Sequence, residues 1–349
     1  MFKRILVPLD GSARAERALP VAIRLARASG GTIFLLRVIS TAPQSLPSAP
    51  AKPILVQTVG EADIALAENY LTALAASEEL RDMSVRTESF VGLVAPTILA
   101  IAESQFIDLI VMCSHGFTGA KRWVLGSISE KVARSSNIPV LVLRENGSML
   151  LEQAPEAQPV RVLVPLDGSE NALAALAPAG KLAAALAAPQ QGTLHLLHVF
   201  KTPVSPQSAK TAAGRVAART RATATKVATT AINAVMANHE PQIDLESAKQ
   251  YLEQVVARIQ DRSLAPDIAD SNLTLTWSVA SEDDIAQTII KTGEHMHDGD
   301  RSDTAHLIAM TTHGHNIMQP STMGTITGRV LQASHLPLLI VRPLDMRGR

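Results

Sequence analysis

Cysteine is almost absent: Cys113 is the single one in 349 residues. This excludes an intrachain disulfide framework and a multi-cysteine metal site, and it fits a reducing compartment. Aromatic residues make up only 3% of the chain, and 32 basic side chains balance 32 acidic ones. General nucleic-acid binding relies on surplus positive charge and stacking rings, so nucleic acid is not an expected partner. Long hydrophobic runs are missing as well. The most apolar stretch, Ala172 to Ala188, contains Pro178, Gly180 and Lys181 and falls short of a membrane span. The basic start Met1-Phe2-Lys3-Arg4 leads into an apolar run that meets Asp10, too short for a signal-peptide core. The expected setting is cytoplasmic, with no membrane partner.

What the chain does have is a 46% hydrophobic content, a length that suits about two domains, and one internal repeat. Arg4-Ile5-Leu6-Val7-Pro8-Leu9-Asp10-Gly11-Ser12 returns as Arg161-Val162-Leu163-Val164-Pro165-Leu166-Asp167-Gly168-Ser169. Thr32 to Val38 returns as Thr193 to Val199. His115-Gly116 with Gly126-Ser127 returns as His313-Gly314 with Gly324-Thr325, and Pro139 to Arg144 returns as Pro337 to Arg342. The blocks keep their order, so each copy is a whole domain. We expect domains over 1–145 and 160–343, joined by a linker over 146–159 that holds Asn146-Gly147-Ser148 and Pro155. The offset between copies grows from 161 at the second block to 198 at the last. That growth places an insertion in the second copy near 205–265, rich in Ala, Gln, Lys and Arg, with two helices expected to meet around Pro241.

Within the first copy, Ile5 to Val7, Ile33 to Leu36, Leu109 to Met112 and Val140 to Leu143 are nearly unbroken apolar runs. Such runs suit parallel strands covered on both faces. Val85 to Phe90 alternates, as a strand with one wet face does. Helical patterns over Ala13 to Ala28, Ile64 to Leu80 and Ala95 to Glu103 separate them. The fold class is therefore α/β, with two tandem doubly wound domains, each a five-stranded parallel sheet flanked by helices. Ligands of such sheets sit outside the carboxyl ends of the strands.

Three segments reach that edge in the first copy: Pro8 to Ser12, the strand exit at Val38, and the loop from Met112-Cys113-Ser114-His115-Gly116 to Gly126-Ser127. Glycines at a strand exit followed by Gly-Ser at a helix start let backbone amides approach an anion, and the helix terminus adds its positive end. Neither a P-loop nor a dinucleotide fingerprint is present. These residues, twice over and across almost the whole chain, resemble the universal stress protein family. Its members are small five-stranded α/β domains of the adenine nucleotide alpha hydrolase-like type that often bind ATP or AMP and often pair. The family's nucleotide motif is Gly, two residues, Gly, nine residues, then Gly-Ser/Thr. Both copies depart at the first glycine, which is Cys113 in one and Thr311 in the other.

The resemblance implies that Pro8, Asp10 and Val38 line the adenine and ribose, and that Met112, Cys113, His115 and Gly116 form the phosphate loop. Gly126, Ser127 and Ile128 then hold the anion at the helix start. In the second copy the matching residues are Asp167, Val199, His313, Gly314, Gly324 and Thr325, with Ile326. The first loop carries Lys121 and Arg122, whereas the second has no Lys or Arg, so the first site ranks above the second. Magnesium or manganese is the ion that would accompany the phosphates. The same resemblance implies that the closing strands pair the two halves into an intrachain pseudo-dimer, and a homodimer is a further assembly it allows.

Bland roles stand beside these. Ser127-Ile128-Ser129-Glu130 has capping-box spacing, and Ser12 can cap the helix from Ala13. Cys113 reads as a small hydrophobe rather than a nucleophile. His295, His297, His313 and His315 lack the spacing of a zinc site. No acid–base pair or nucleophile constellation can be assembled, so any ATP hydrolysis or autophosphorylation is expected to be slow. The leading expectation is a stress-response regulator that binds ATP or AMP. The alternative is a nucleotide-free interaction protein that uses the helical insertion as its partner surface.

Overall fold

The computed structural model describes residues 1–41, 59–114, 126–144, 159–200, 245–294, 304–314 and 323–343. The first half runs β1 (Arg4–Leu9), α1 (Ala13–Glu16), α2 (Ala18–Ser29), β2 (Thr32–Ser40), α3 (Glu61–Ala75), β3 (Ser84–Gly92), α4 (Val94–Ser104), β4 (Leu109–Cys113), α5 (Ser127–Ser135) and β5 (Val140–Leu143). The second runs β6 (Arg161–Leu166), α6 (Glu170–Leu173), α7 (Leu176–Ala187), β7 (Gly192–Phe200), α8 (Leu245–Gln260), α9 (Pro266–Ala269), β8 (Leu273–Ser281), α10 (Ile285–Glu294), β9 (Leu307–Thr311), α11 (Thr325–Ala333) and β10 (Leu338–Val341).

The strands form one ten-stranded sheet in the order β3-β2-β1-β4-β5-β10-β9-β6-β7-β8. Pairing is parallel within each half, and β5 and β10 pair antiparallel at the centre, with Leu141 opposite Leu339. The central strands are buried along their whole length. Val-Leu-Val-Leu and Leu-Leu-Ile-Val offer no polar face, so an isolated half would leave an apolar edge open to stray pairing. Mutual pairing removes that edge. On one face the core is continuous across the junction, where α2 packs on α7. Ala22 and Ala26 on one helix and Ala179 and Ala183 on the other are buried in this shared core. Helices α4, α5, α10 and α11 cover the opposite face.

The helix expected over Ala13 to Ala28 is broken at Arg17, which ends α1 and starts α2. Helix α8 packs on β7 and β8 as α3 packs on β2 and β3. It is therefore the second half's crossover helix, matched to α3 by Asn69-Tyr70-Leu71 against Gln250-Tyr251-Leu252. The remainder of the expected insertion, 201–244, lies outside the described residues, as does the linker core, 145–158.

Candidate functional site

In each half the strand order reverses between the first and fourth strands, and the cleft of a doubly wound sheet opens there. Because β5 and β10 are antiparallel, the two clefts open at opposite edges of the sheet.

At the first cleft, Asp10 Oδ1 accepts from the Ser12 amide at 3.0 Å and the Ser12 hydroxyl at 2.6 Å. Ser12 in turn caps α1 by accepting from the Ala15 amide at 3.2 Å. Gly11 between them has φ +84°, a conformation that favours glycine. The turn is propped from one side. The Arg37 guanidinium would stand 3.0 Å from a Cβ on Gly11, and it lies 4.9 Å over the Tyr70 ring. The Tyr70 hydroxyl donates to Glu16 at 2.8 Å, and burial first, then Glu16, pushes its pKa up.

The fourth strand brings Met112, buried, and Cys113, whose thiol is turned toward the Ala15 carbonyl at 3.9 Å. Cys113 thus packs against α1 as a small hydrophobe. Beyond it the Ser114 carbonyl gathers the start of α5, accepting from the Gly126 amide at 2.7 Å and the Ser129 hydroxyl at 2.8 Å. Gly126 is extended and serves as the N-cap, and no side chain caps this helix. The capping box therefore does not form: Ser127 is the first helical residue, exposed, and Glu130 pairs with Arg134 instead. Val38 and Ile128, both half-buried, complete what is described here. His115 and Gly116 lie outside the described residues, as do Lys121 and Arg122.

The second cleft repeats the frame with different contents. Asp167 holds Ser169 as Asp10 holds Ser12, at 3.0 and 2.6 Å. Thr312 takes the place of Ser114, accepting from the Gly324 amide at 2.7 Å, and the Thr327 hydroxyl donates to the Thr311 carbonyl at 2.8 Å. Thr325, exposed, and Ile326, half-buried, follow Gly324 into α11. Gly314, the last described residue before the loop, lies against the Asp167 turn. A Cβ on Gly314 would fall 1.8 Å from Asp167 Oδ2, and Asn171 donates to the Gly314 carbonyl at 3.1 Å. The Thr311 hydroxyl donates to the His313 carbonyl at 2.8 Å, and His313 is buried, its pKa lowered by burial and then by Arg342. His198 replaces Arg37. Its Nδ1 donates to the Leu166 carbonyl at 2.8 Å, its ring meets Tyr251 edge-on at 5.5 Å, and Val199 follows it, buried.

Ser129 and Thr327, which tie each helix start to its strand, were not among the expected site residues. The repeat itself signals them, since Gly-Ser-Ile-Ser answers Gly-Thr-Ile-Thr. The Arg37–Tyr70 and His198–Tyr251 pairs carry no such local signal. Among the described residues no group of three or more His, Cys, Asp or Glu is placed to hold a metal. Among the same residues no helix is long and apolar enough to cross a membrane.

The profile of the universal stress protein family matches residues 1–144 and 160–271. A universal stress protein of Methanocaldococcus jannaschii is 29% identical over 146 residues, which cover 42% of this chain and 84% of that protein. Another from the same organism is 32% identical over 162 residues, covering 42% of this chain and 98% of that protein. Among solved structures, a universal stress protein from Archaeoglobus fulgidus superposes with TM-score 0.58 at 18% identity, covering 97% of this chain and 98% of that one. A structure from Pseudomonas aeruginosa reaches TM-score 0.59 at 15% identity over 99% and 95% of the two chains. These two likenesses speak for the two-domain fold.

Proposed function

Because the chain belongs to the universal stress protein family, we propose that it is a cytoplasmic, stress-linked regulator that binds one adenine nucleotide, ATP or AMP, in its first-half cleft. The observation that carries this reading is the start of α5. Its leading amides have no side-chain cap and are fastened beside the Asp10 turn through Ser114. An anion at that terminus would meet oriented amides and the positive end of the helix. Asp10 and Val38 would face the sugar and base, and His115, Gly116, Lys121 and Arg122 would come from the adjoining loop. Magnesium or manganese would enter with the phosphates and take its ligands chiefly from them. The proposed role is binding with little or no fast turnover.

The second cleft favours a different reading for its own half. Asp167 and Asn171 hold Gly314 where a phosphate loop would need room, so that half acts as a nucleotide-free partner. The described helix α8 is a crossover element, and the rest of the insertion expected near 205–265 lies outside the described residues.

The test is calorimetric titration of the whole protein with ATP and AMP, after denaturing release and mass spectrometry of anything it carries. Stoichiometry near one is expected. Ser127→Glu places a carboxylate at the first turn of α5, where it favours the helix but repels phosphate. Nucleotide affinity should fall by about tenfold or more with the unfolding midpoint unchanged or raised. Absence of nucleotide and of heat in the wild type would leave only the interaction protein.

A further inference from the structure

Each half ends in an arginine that reaches into the other. Arg144 follows β5 and is buried, and its guanidinium donates to the Leu331 carbonyl in the last turn of α11. Burial brings its pKa down to about 10, which leaves it charged at neutral pH. Arg342 follows β10, and its Nη1 donates to the carbonyl of Ser135, the last residue of α5, at 3.4 Å. The two arginines occupy the same place in the repeat. Helix C-termini expose unsatisfied carbonyls and partial negative charge, which a guanidinium answers on both counts.

The two helices so held are the ones whose opposite ends open the clefts. From the first cleft, the Gly126 amide bonds to Ser114, and the Ser114 amide bonds to the Leu143 carbonyl at 2.8 Å. The next residue, Arg144, passes to α11 and so to Gly324 and Thr325. From the second cleft, Gly324 bonds to Thr312, and the Thr312 amide bonds to the Val341 carbonyl at 2.9 Å. Arg342 then passes to α5 and so to Gly126 and Ser127. The chain of bonds is unbroken in both directions, and it crosses the junction twice.

We infer that Arg342 and Arg144 are positioning residues supplied across the junction: Arg342 sets α5 for the first cleft and Arg144 sets α11 for the second, so each cleft is complete only when the halves are docked. The inference rests on the nucleotide reading for its consequence and on the bond network for its cause. A half-domain alone would keep its glycines and its aspartate yet lose the residue that steadies the C-terminal end of its binding helix.

The experiment uses the full chain with Arg342→Ala and Arg342→Lys. Arg342 is only half-buried, so its loss should leave folding intact. Nucleotide affinity at the first cleft should weaken about two- to fivefold in Arg342→Ala, the size of one helix-terminus charge contact, and Arg342→Lys should restore most of it. Amide hydrogen exchange over residues 126–129 should quicken in the alanine variant, while β1 and β2 stay protected as in the wild type. Unchanged affinity with unchanged exchange over 126–129 would overturn the inference. So would faster exchange spread evenly over the first half, since that describes plain destabilisation. If the wild type takes up no nucleotide, the functional reading fails by itself and the exchange pattern alone decides this one.

Discussion

Leu339→Ala is expected to destabilise both halves of the chain together, by about 2–5 kcal/mol. Leu339 is fully buried, paired with Leu141 across the junction and with Ala309 on its other side, and it belongs to a core that reaches from Phe2 to Val341. Truncation leaves a cavity among neighbours from both halves, and close packing cannot heal it on one side only. Against the 5–15 kcal/mol stability of ordinary domains, that loss is large. The measurement is urea unfolding followed by amide exchange in β1 and β2 and, separately, in β6 and β7. The four strands should lose protection at one lowered midpoint. A second half that weakens while β1 and β2 keep their wild-type midpoint would show that the halves are independent. Leu141→Ala should behave alike, and the double variant should cost less than the two singles added, because both empty the same space.

That junction was expected before any coordinates from the family resemblance, which pairs the closing strands; Val140 to Leu143 and Leu338 to Val341, apolar at every position, by themselves spoke only for strands covered on both faces. The doubly wound order was legible from unbroken apolar runs separated by helical periods. Where the reading slipped, a tertiary bond had overruled a local pattern. Ser127-x-x-Glu130 has the spacing of a capping box, but Gly126 is pulled to the Ser114 carbonyl. The helix then begins one residue earlier than the box requires, and Glu130 finds Arg134. The helical pattern from Ala13 likewise gives no hint that Arg17 divides it.

The clefts were legible as loops and not as contents. Asp10-Gly11-Ser12 and Asp167-Gly168-Ser169 are identical in sequence and in turn geometry. What separates the two sites comes from elsewhere in the fold: Arg37 or His198 from the second strand, Tyr70 or Tyr251 from the crossover helix, and Asn171 from α6. The tyrosines escape a repeat search because only a Tyr-Leu pair is shared and the connections around it differ in length. The arginines after β5 and β10 stood in plain view at the end of the last repeated block. Their reach into the opposite half depends on antiparallel pairing, which no single copy encodes.

Acid should weaken the whole chain through a group in its second half, and His195 is the main cause. It stands in the register position that Phe34 holds in the first half, each opposite the third residue of its opening strand. Phe34 there carries the Arg4 guanidinium at 4.7 Å and that of Arg86 at 5.7 Å. His195 is buried between the Thr276 and Ser278 hydroxyls, each at 2.8 Å. Burial first, then Arg161, lowers its pKa from 6.5 to about 4. The folded protein therefore prefers the neutral ring, and the unfolded chain binds the extra proton between those two values. Stability from this residue is complete above about pH 6.5, falls as the pH drops toward 4 and changes no further below that, a loss of about 3 kcal/mol in all. His306 and His313 are pushed in the same direction, each chiefly by burial. His195→Phe removes the hydrogen bonds to exposed Thr276 and half-buried Ser278 and so changes stability at pH 7 for reasons other than titration, and the quantity to read is the slope. Between pH 6.5 and 4 the wild type should lose up to about 1.4 kcal/mol more per pH unit than the variant. Equal slopes would mean that His195 titrates in the folded state as it does in water, and its ring would then be solvated rather than buried.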